Sequence, residues 1–144
     1  MLDQLVTAVG VPVLALPSNV SGDLGQSILV GWNGSREATR AAHDALPFLR
    51  EARRVILCAV GAAAAQSLGA AAAMLQRHGL AVHAQQVDEP DGDAGAVLLA
   101  QAGAQGADLL VMGAYGHARL RELVFGGATR HVLRAETLPV LFGS

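Results

Sequence analysis

Short apolar runs alternate with stretches of helical periodicity along most of the chain. The runs have the length and composition of buried strands, and they cover residues 27–32, 54–60, 80–87 and 108–112. The third run has one polar face, which indicates a strand at a sheet edge. Helical patterns lie between the runs, at residues 35–49, 63–78 and 94–105. Pro47 is expected to kink or end the first helix.

Strands that alternate with helices at this spacing predict an α/β fold. The expected architecture is a parallel sheet covered on both faces by helices in right-handed crossovers. In such a sheet a ligand binds beyond the carboxyl ends of the strands, where the strand order reverses. The segments that follow candidate strands at this edge are residues 33–35, 61–62 and 113–129.

The N-terminal segment resembles the C-terminal one. Residues 9–16 align with residues 136–142 on Pro12 and Pro139, and each segment ends an apolar stretch and begins a short strand. We therefore expect residues 1–20 to be the tail of a preceding copy of the same domain, residues 21–26 to be a linker rich in Ser, Gly and Asp, and residues 27–144 to be the domain itself. A chance match of two Pro-Val-Leu tripeptides is the alternative.

Composition excludes several classes of protein. With 52% hydrophobic and 15% charged residues, the chain does not have the makeup of a disordered protein. A net charge of −2 gives no basic footprint for nucleic-acid binding. The apolar runs are too short for a membrane span. The single Cys58 excludes an internal disulfide and a multi-cysteine metal site, which fits a reducing, cytoplasmic setting.

A glycine-rich segment follows the last strongly buried run. Glycines leave backbone N–H groups uncovered, and a helix that begins near Gly127 would direct its free N–H groups towards the same place. We expect this segment to bind a phosphate group, with the Thr129 hydroxyl as a further hydrogen-bond donor. The loop is not a Walker A motif, because the chain has no Lys, and its spacing is not that of a dinucleotide-binding fingerprint. The alternative is that the glycines only form a turn and a helix entry.

The spacing Gly113-x2-Gly116-x9-Gly126 resembles the Gly-x2-Gly-x9-Gly-Ser/Thr pattern of ATP-binding members of the universal stress protein family. The resemblance extends over residues 28–35, 106–113 and 138–142, which look like the first, fourth and last strands of that family. It therefore covers about residues 27–142. It implies a five-stranded parallel sheet of order 3-2-1-4-5, of the adenine nucleotide alpha hydrolase-like type, here with an extra N-terminal strand.

The resemblance also implies binding residues for ATP or another adenine nucleotide, with or without Mg²⁺. These are Gly31, Asn33, Val60, Met112, Gly113, Gly116, Gly126, Gly127, Ala128 and Thr129, with His117, Arg119 and Arg130 as candidates for the phosphate side. Two positions depart from the family pattern, since Asn33 replaces Asp and Gly127 replaces Ser or Thr. Trp32 is large beside the expected adenine site, where it would either stack on the base or fill its place.

The function that follows is adenine-nucleotide binding in stress response. The sequence contains no recognisable set of catalytic or metal-binding residues, so slow ATP hydrolysis is the one enzymatic activity that we keep as an alternative. The other alternative is a member that binds no nucleotide and acts through dimerisation or a protein partner. The strand from Leu138 to Phe142 would lie at a sheet edge, and the strand from Pro12 to Leu16 is its expected counterpart. We expect a homodimer or a pairing of domains through these strands, within one chain or between two.

Overall fold

The computed structural model describes residues 11–18, 24–88, 94–113 and 138–143. Its strands are β1 (Val13–Ala15), β2 (Ser27–Trp32), β3 (Arg54–Val60), β4 (Val82–Val87), β5 (Leu109–Gly113) and β6 (Val140–Gly143). Its helices are α1 (Arg36–Asp44), α2 (Leu46–Glu51), α3 (Ala62–Ala65), α4 (Leu68–Arg77) and α5 (Ala94–Ala104). The bounds of β2 and β3 are those that the apolar runs predict.

All described strands belong to one sheet of order β1-β6-β5-β2-β3-β4. The pairs from β4 to β6 are parallel, whereas β1 pairs with β6 antiparallel. The α/β prediction with a mainly parallel sheet is thus confirmed, and the sheet as a whole is six-stranded and mixed, because the N-terminal strand β1 adds to the five parallel strands in the antiparallel direction. The strand order reverses at β2, whose neighbours are β3 and β5, so β2 and β5 form the switch point.

Apolar side chains alternate along the strands and fill a core on each face of the sheet. We call the face covered by α1, α2, α3 and α4 the α1 side; Ile28, Val30 and Leu109 are among its buried strand residues. The opposite face, the α5 side, is covered by Leu98 and Ala102 of α5. Burial on both faces explains why β2, β3 and β5 read as continuous apolar runs.

Two predicted helices are interrupted in the structure. Pro47 lies in the first turn of α2, where a missing N–H costs nothing, so the first helix ends at Asp44 and a second one begins. The predicted helix over residues 63–78 is also two helices, α3 and α4. Ser67 separates them with the non-helical torsions φ −104° and ψ 7°. Short polar residues favour such breaks because their side chains bond outside the helix.

The amino-terminal edge of the sheet is held by Asp108, directly before β5. Its carboxylate accepts hydrogen bonds from the backbone N–H groups of Gly25 at 3.0 Å, Gln26 at 3.0 Å and Ser27 at 3.4 Å. Asp108 therefore joins the start of β2 to the start of β5, at the edge opposite the expected ligand. In the described part of the chain, no helix is long and apolar enough to cross a membrane.

Candidate functional site

A cavity lies at the carboxyl ends of β2, β3 and β5. Its volume is about 50 Å³, and its lining comes from these strand ends, from α1 and from α5: Gly31, Trp32, Asn33, Ala38, Val60, Ala94, Leu98, Met112 and Gly113. The cavity thus occupies the switch point, the place where ligands bind in open parallel sheets.

Five of the residues predicted from the sequence lie together in this lining: Gly31, Asn33, Val60, Met112 and Gly113. They come from three strand ends that are far apart in the sequence and adjacent in the sheet. The other predicted residues lie outside the described residues: Gly116, His117, Arg119, Gly126, Gly127, Ala128, Thr129 and Arg130.

Asn33 forms the turn that leads from β2 into α1. Its Oδ1 accepts a hydrogen bond from the Ser35 N–H at 3.0 Å, and the Ser35 Oγ accepts one from the Ala38 N–H at 3.1 Å. Gly34 between them has a φ of +79°, which glycine adopts without strain. This double capping starts α1 directly beside the cavity and brings Ala38 into its lining. Asn33 itself is exposed.

The Trp32 indole is held on the α1 side of the sheet. Its Nε1 donates a hydrogen bond to the Ser67 Oγ at 2.9 Å, and its side chain is 7% exposed. Leu98 belongs to the core on the other face. Trp32 therefore borders the cavity from one face of the sheet, while α5 borders it from the other.

Two glycines of the lining lie where helices approach the sheet closely, Gly113 against backbone atoms and Gly31 against the end of the Leu98 side chain. A Cβ on Gly31 would lie 2.9 Å from the Leu98 Cδ1, and a Cβ on Gly113 would lie 2.8 Å from the carbonyl carbon of Glu37. The first contact lets α5 approach β2, and the second lets the first turn of α1 approach β5. Both glycines thus allow the two helices to close around the cavity.

Sequence reasoning missed Ala38, Ala94 and Leu98 as lining residues. A signal for two of them exists, because Ala94 and Leu98 are four residues apart and share one face of a helix. Ala38 lies three residues after its capping residue, Ser35, in the helix that the Asn33 turn begins. What the sequence does not provide is the position of each helix over the sheet.

The described lining contains no ionisable side chain. Its chemistry is apolar, with the Asn33 amide and backbone groups as the polar elements. Such a surface suits an uncharged planar ring with a few hydrogen-bonding atoms. Among the described residues there is also no group of three or more His, Cys, Asp or Glu side chains that would hold a metal ion.

Together, the fold and the cavity define a mainly parallel α/β domain with a cavity at its switch point. Residues 25–142 match the Universal stress protein family, and the chain belongs to that family. The resemblance inferred from the glycine spacing and the strand patterns is thereby confirmed.

Relatives with known names or structures support this assignment. Universal stress protein Slr1230 of Synechocystis sp. is 59% identical over 34 residues, which are 24% of this chain and 12% of that protein. The match thus spans a small part of that relative's length. A universal stress protein structure from Archaeoglobus fulgidus DSM 4304 has a TM-score of 0.74 at 18% identity, covering 99% of this chain and 53% of that one.

A third relative is a universal stress protein whose crystal structure was determined in complex with cAMP. It has a TM-score of 0.65 at 20% identity, and the match covers 83% of this chain and 97% of that one. At these identities, the two structures establish the shared fold.

Proposed function

We propose that this universal stress protein domain binds an adenine nucleotide in the cavity at the carboxyl ends of β2, β3 and β5, in a role in stress response. One observation carries the proposal: five residues predicted to contact a nucleotide, from three separate strand ends, line the same cavity. These residues lie together because neighbouring parallel strands end at the same edge of the sheet, which is the place where ligands bind in such folds.

The chemistry of the lining supports an adenine base at this position. Met112, Val60 and Leu98 offer apolar contacts to a ring, and the Asn33 amide offers a donor and an acceptor. Because the described lining carries no charge, the phosphates must be bound elsewhere. We assign them to the glycine loop: Gly116, Gly126, Gly127, Ala128 and Thr129, with His117, Arg119 and Arg130 as supporting donors. Where Mg²⁺ accompanies the nucleotide, it would be bound through the phosphate oxygens.

The anchoring of Trp32 supports an accessible cavity. Its hydrogen bond to Ser67 keeps the indole on the α1 side, whereas Leu98 and Met112 belong to the core on the α5 side. A base would bind between the indole and α5 with Trp32 in place, and the cavity of about 50 Å³ would widen to admit it. The neighbouring family member in complex with cAMP supports the choice of an adenine ring as the ligand.

The proposal is tested by titration calorimetry of nucleotide-free protein with ATP, AMP and cAMP, with GTP as the control for the base. Trp32 is the only tryptophan, so its fluorescence provides an independent signal from the cavity itself. We expect adenine nucleotides to bind and to change this fluorescence. Absence of both signals for all three adenine nucleotides would overturn the proposal.

A matched pair of variants locates the site. Ala94 lines the cavity at the start of α5, whereas Ala100 is exposed on the same helix. Ala94→Glu brings a longer side chain and an unpaired carboxylate into the apolar cavity proposed for the base, so ATP affinity should fall at least about tenfold. Ala100→Glu makes the same change of charge and should leave affinity unchanged. Gly116→Asp tests the glycine loop in the same titration.

A further inference from the structure

β1 and β6 are similar in sequence and pair with each other. Aligned on Pro12 and Pro139, the two segments read Pro-Val-Leu-Ala and Pro-Val-Leu-Phe. In the antiparallel register, Leu14 lies opposite Leu141, which is its own counterpart in the repeat. Val13 lies opposite Phe142, and Ala15 lies opposite Val140, so exchanging the two strands converts each of these pairs into the other.

The pair therefore has local two-fold symmetry about Leu14 and Leu141. This is the arrangement of an isologous contact, in which the same segment of two copies meets across a two-fold axis. The backbone hydrogen bonds of an edge pairing do not by themselves select this relation, because other registers that keep the same side chains on each face would satisfy them equally well.

Side-chain packing follows the same symmetry. Leu14 and Leu141 both pack in the core of the α1 side, and their neighbours Val13, Ala15 and Phe142 pack in the core of the α5 side. Each of the two strands thus supplies matching side chains to both faces of the sheet. As a result β6 is buried along its length, whereas the outer strand β1 is half-buried.

Comparison with other structures supports a second domain as the origin of β1. The structure in complex with cAMP covers 83% of this chain and nearly all of its own, 97%. The structure from Archaeoglobus fulgidus covers 99% of this chain but only 53% of its own, which is therefore about twice as long as the matched part. A counterpart for the N-terminal segment is thus found in a chain long enough for two such domains.

We propose that β1 stands in for the β6 strand of a second universal stress protein domain, and that it closes the edge at which two copies of this chain would otherwise pair. With β1 in place, the β6 edge is occupied within one chain. When β1 is displaced, β6 of one copy pairs with β6 of another, with Leu141 opposite the same residue of the second copy. This proposal is independent of nucleotide binding.

A disulfide tests whether the edge is closed within one chain. Opposite residues of an antiparallel pair have Cα atoms about 4.5–5.5 Å apart, within the range that a disulfide spans. In a Cys58→Ala background, Leu14→Cys with Leu141→Cys should form a disulfide inside each monomer under mild oxidation. A disulfide-linked dimer from this pair, or no disulfide, would overturn closure within one chain.

A second experiment tests the symmetric site that β1 covers. In the same background, Leu141→Cys alone should give no dimer, because Leu14 occupies the opposite position. Adding Leu14→Asp should displace β1, double the mass measured by light scattering and produce a symmetric Leu141→Cys disulfide. Leu16→Asp is the matched control, since Leu16 is 56% exposed beyond β1 and should change neither result.

Circular dichroism establishes that each variant is folded. If Leu14→Asp prevents folding, Leu14→Ala weakens β1 without introducing a charge and is judged by the same criteria. A folded variant with displaced β1 that stays monomeric and forms no symmetric disulfide would overturn the proposal. So would a wild-type chain that already dimerises through Leu141.

Discussion

Gly113 and Gly143 lie opposite each other on β5 and β6, and both lie against the backbone of α1. A Cβ on Gly113 would be 2.8 Å from the carbonyl carbon of Glu37, and a Cβ on Gly143 would be 2.5 Å from the Cα of Ala41. Because neither glycine has a side chain, the backbone of α1 packs directly against β5 and β6 at these two positions. Because Ala38 of α1 lines the cavity, the shape of the site depends on Gly143, which lies outside the lining.

The first prediction concerns Gly143→Ala. The added methyl group overlaps backbone atoms of α1, which cannot move aside as a flexible side chain would, so the free energy of unfolding should fall by about 1–3 kcal/mol. Nucleotide affinity should also fall, because α1 shifts at the cavity. Gly103→Ala is the control, since nothing lies within 4 Å of a Cβ there. In α5 that change should stabilise by about 0.5–1 kcal/mol. If urea unfolding showed the same change in the free energy of unfolding for Gly143→Ala and Gly103→Ala, the close contact of Gly143 with α1 would not be the cause.

The role of Gly143 shows where prediction from sequence reaches its limit. The central strands could be predicted from apolar runs, because a strand that is buried on both faces of the sheet has apolar residues at successive positions. The carboxyl edge then follows from the parallel order, which is why Gly31, Val60 and Met112 could be selected. The approach of α1 to Gly143 depends on a contact between segments that are distant in the sequence, and it cannot be predicted from the hydrophobic periodicity of either segment.

The break between α3 and α4 has the same kind of cause. An alanine-rich stretch has a high helix propensity, and the sequence therefore predicts one helix through it. The structure interrupts this helix at Ser67, whose hydroxyl accepts the indole N–H of Trp32. A tertiary hydrogen bond to a residue 35 positions away thus accompanies the break, and local pattern carries no information about it.

The second prediction concerns Asp108→Asn. The amide nitrogen cannot accept a hydrogen bond, so one of the backbone N–H contacts with Gly25, Gln26 and Ser27 is lost, and the others lose their charged acceptor. Hydrogen bonds to charged groups contribute about 1.5–3 kcal/mol each, and the free energy of unfolding should fall by about this amount. Nucleotide affinity should be unchanged because Asp108 is at the opposite edge of the sheet.

Asp88→Asn is the control for this prediction. Asp88 is exposed directly after β4, and surface changes of this kind alter stability by less than about 0.5 kcal/mol. A similar loss of stability in both variants would mean that the change of net charge causes the effect, rather than the loss of the hydrogen bonds that Asp108 accepts at the start of β2.

The third prediction concerns the pH dependence contributed by Cys58. Burial raises the pKa of its thiol, and the hydrogen bond from Gln85 Nε2 to Sγ lowers it by a smaller effect. The folded protein therefore keeps the thiol protonated at a pH where the unfolded chain ionises it. The resulting stabilisation is complete below the ordinary thiol pKa of 9.0 and is lost as the pH rises above that value.

Urea unfolding of the wild type and of Cys58→Ala at about pH 8 and about pH 10 measures this contribution. The wild type should lose more stability between the two values than the variant does, by up to about 1.4 kcal/mol per pH unit. A thiol reagent at neutral pH should label Cys58 slowly in the folded protein and rapidly in urea. Rapid labelling of the folded protein would show that the thiol is accessible.

The fourth prediction concerns Asn33→Asp, which restores the residue of ATP-binding family members. A carboxylate oxygen can accept the Ser35 N–H as the Asn33 amide does at 3.0 Å, so the turn into α1 should be preserved. The second oxygen becomes a charged acceptor at the cavity, and charged hydrogen bonds are about twice as strong as neutral ones. A gain of about 1 kcal/mol would tighten adenine-nucleotide binding roughly fivefold.

Two comparisons make the result of Asn33→Asp specific to the cavity. Gln66→Glu makes the same change of charge at an exposed position between α3 and α4 and should not alter affinity. Gly127→Ser restores the hydroxyl of the family pattern in the glycine loop and should add to the effect of Asn33→Asp, because the two groups would act on different parts of the nucleotide. Unchanged affinity in both Asn33→Asp and Gly127→Ser would mean that Trp32 occupies the adenine position, and the Trp32 fluorescence would then also stay constant during the titration.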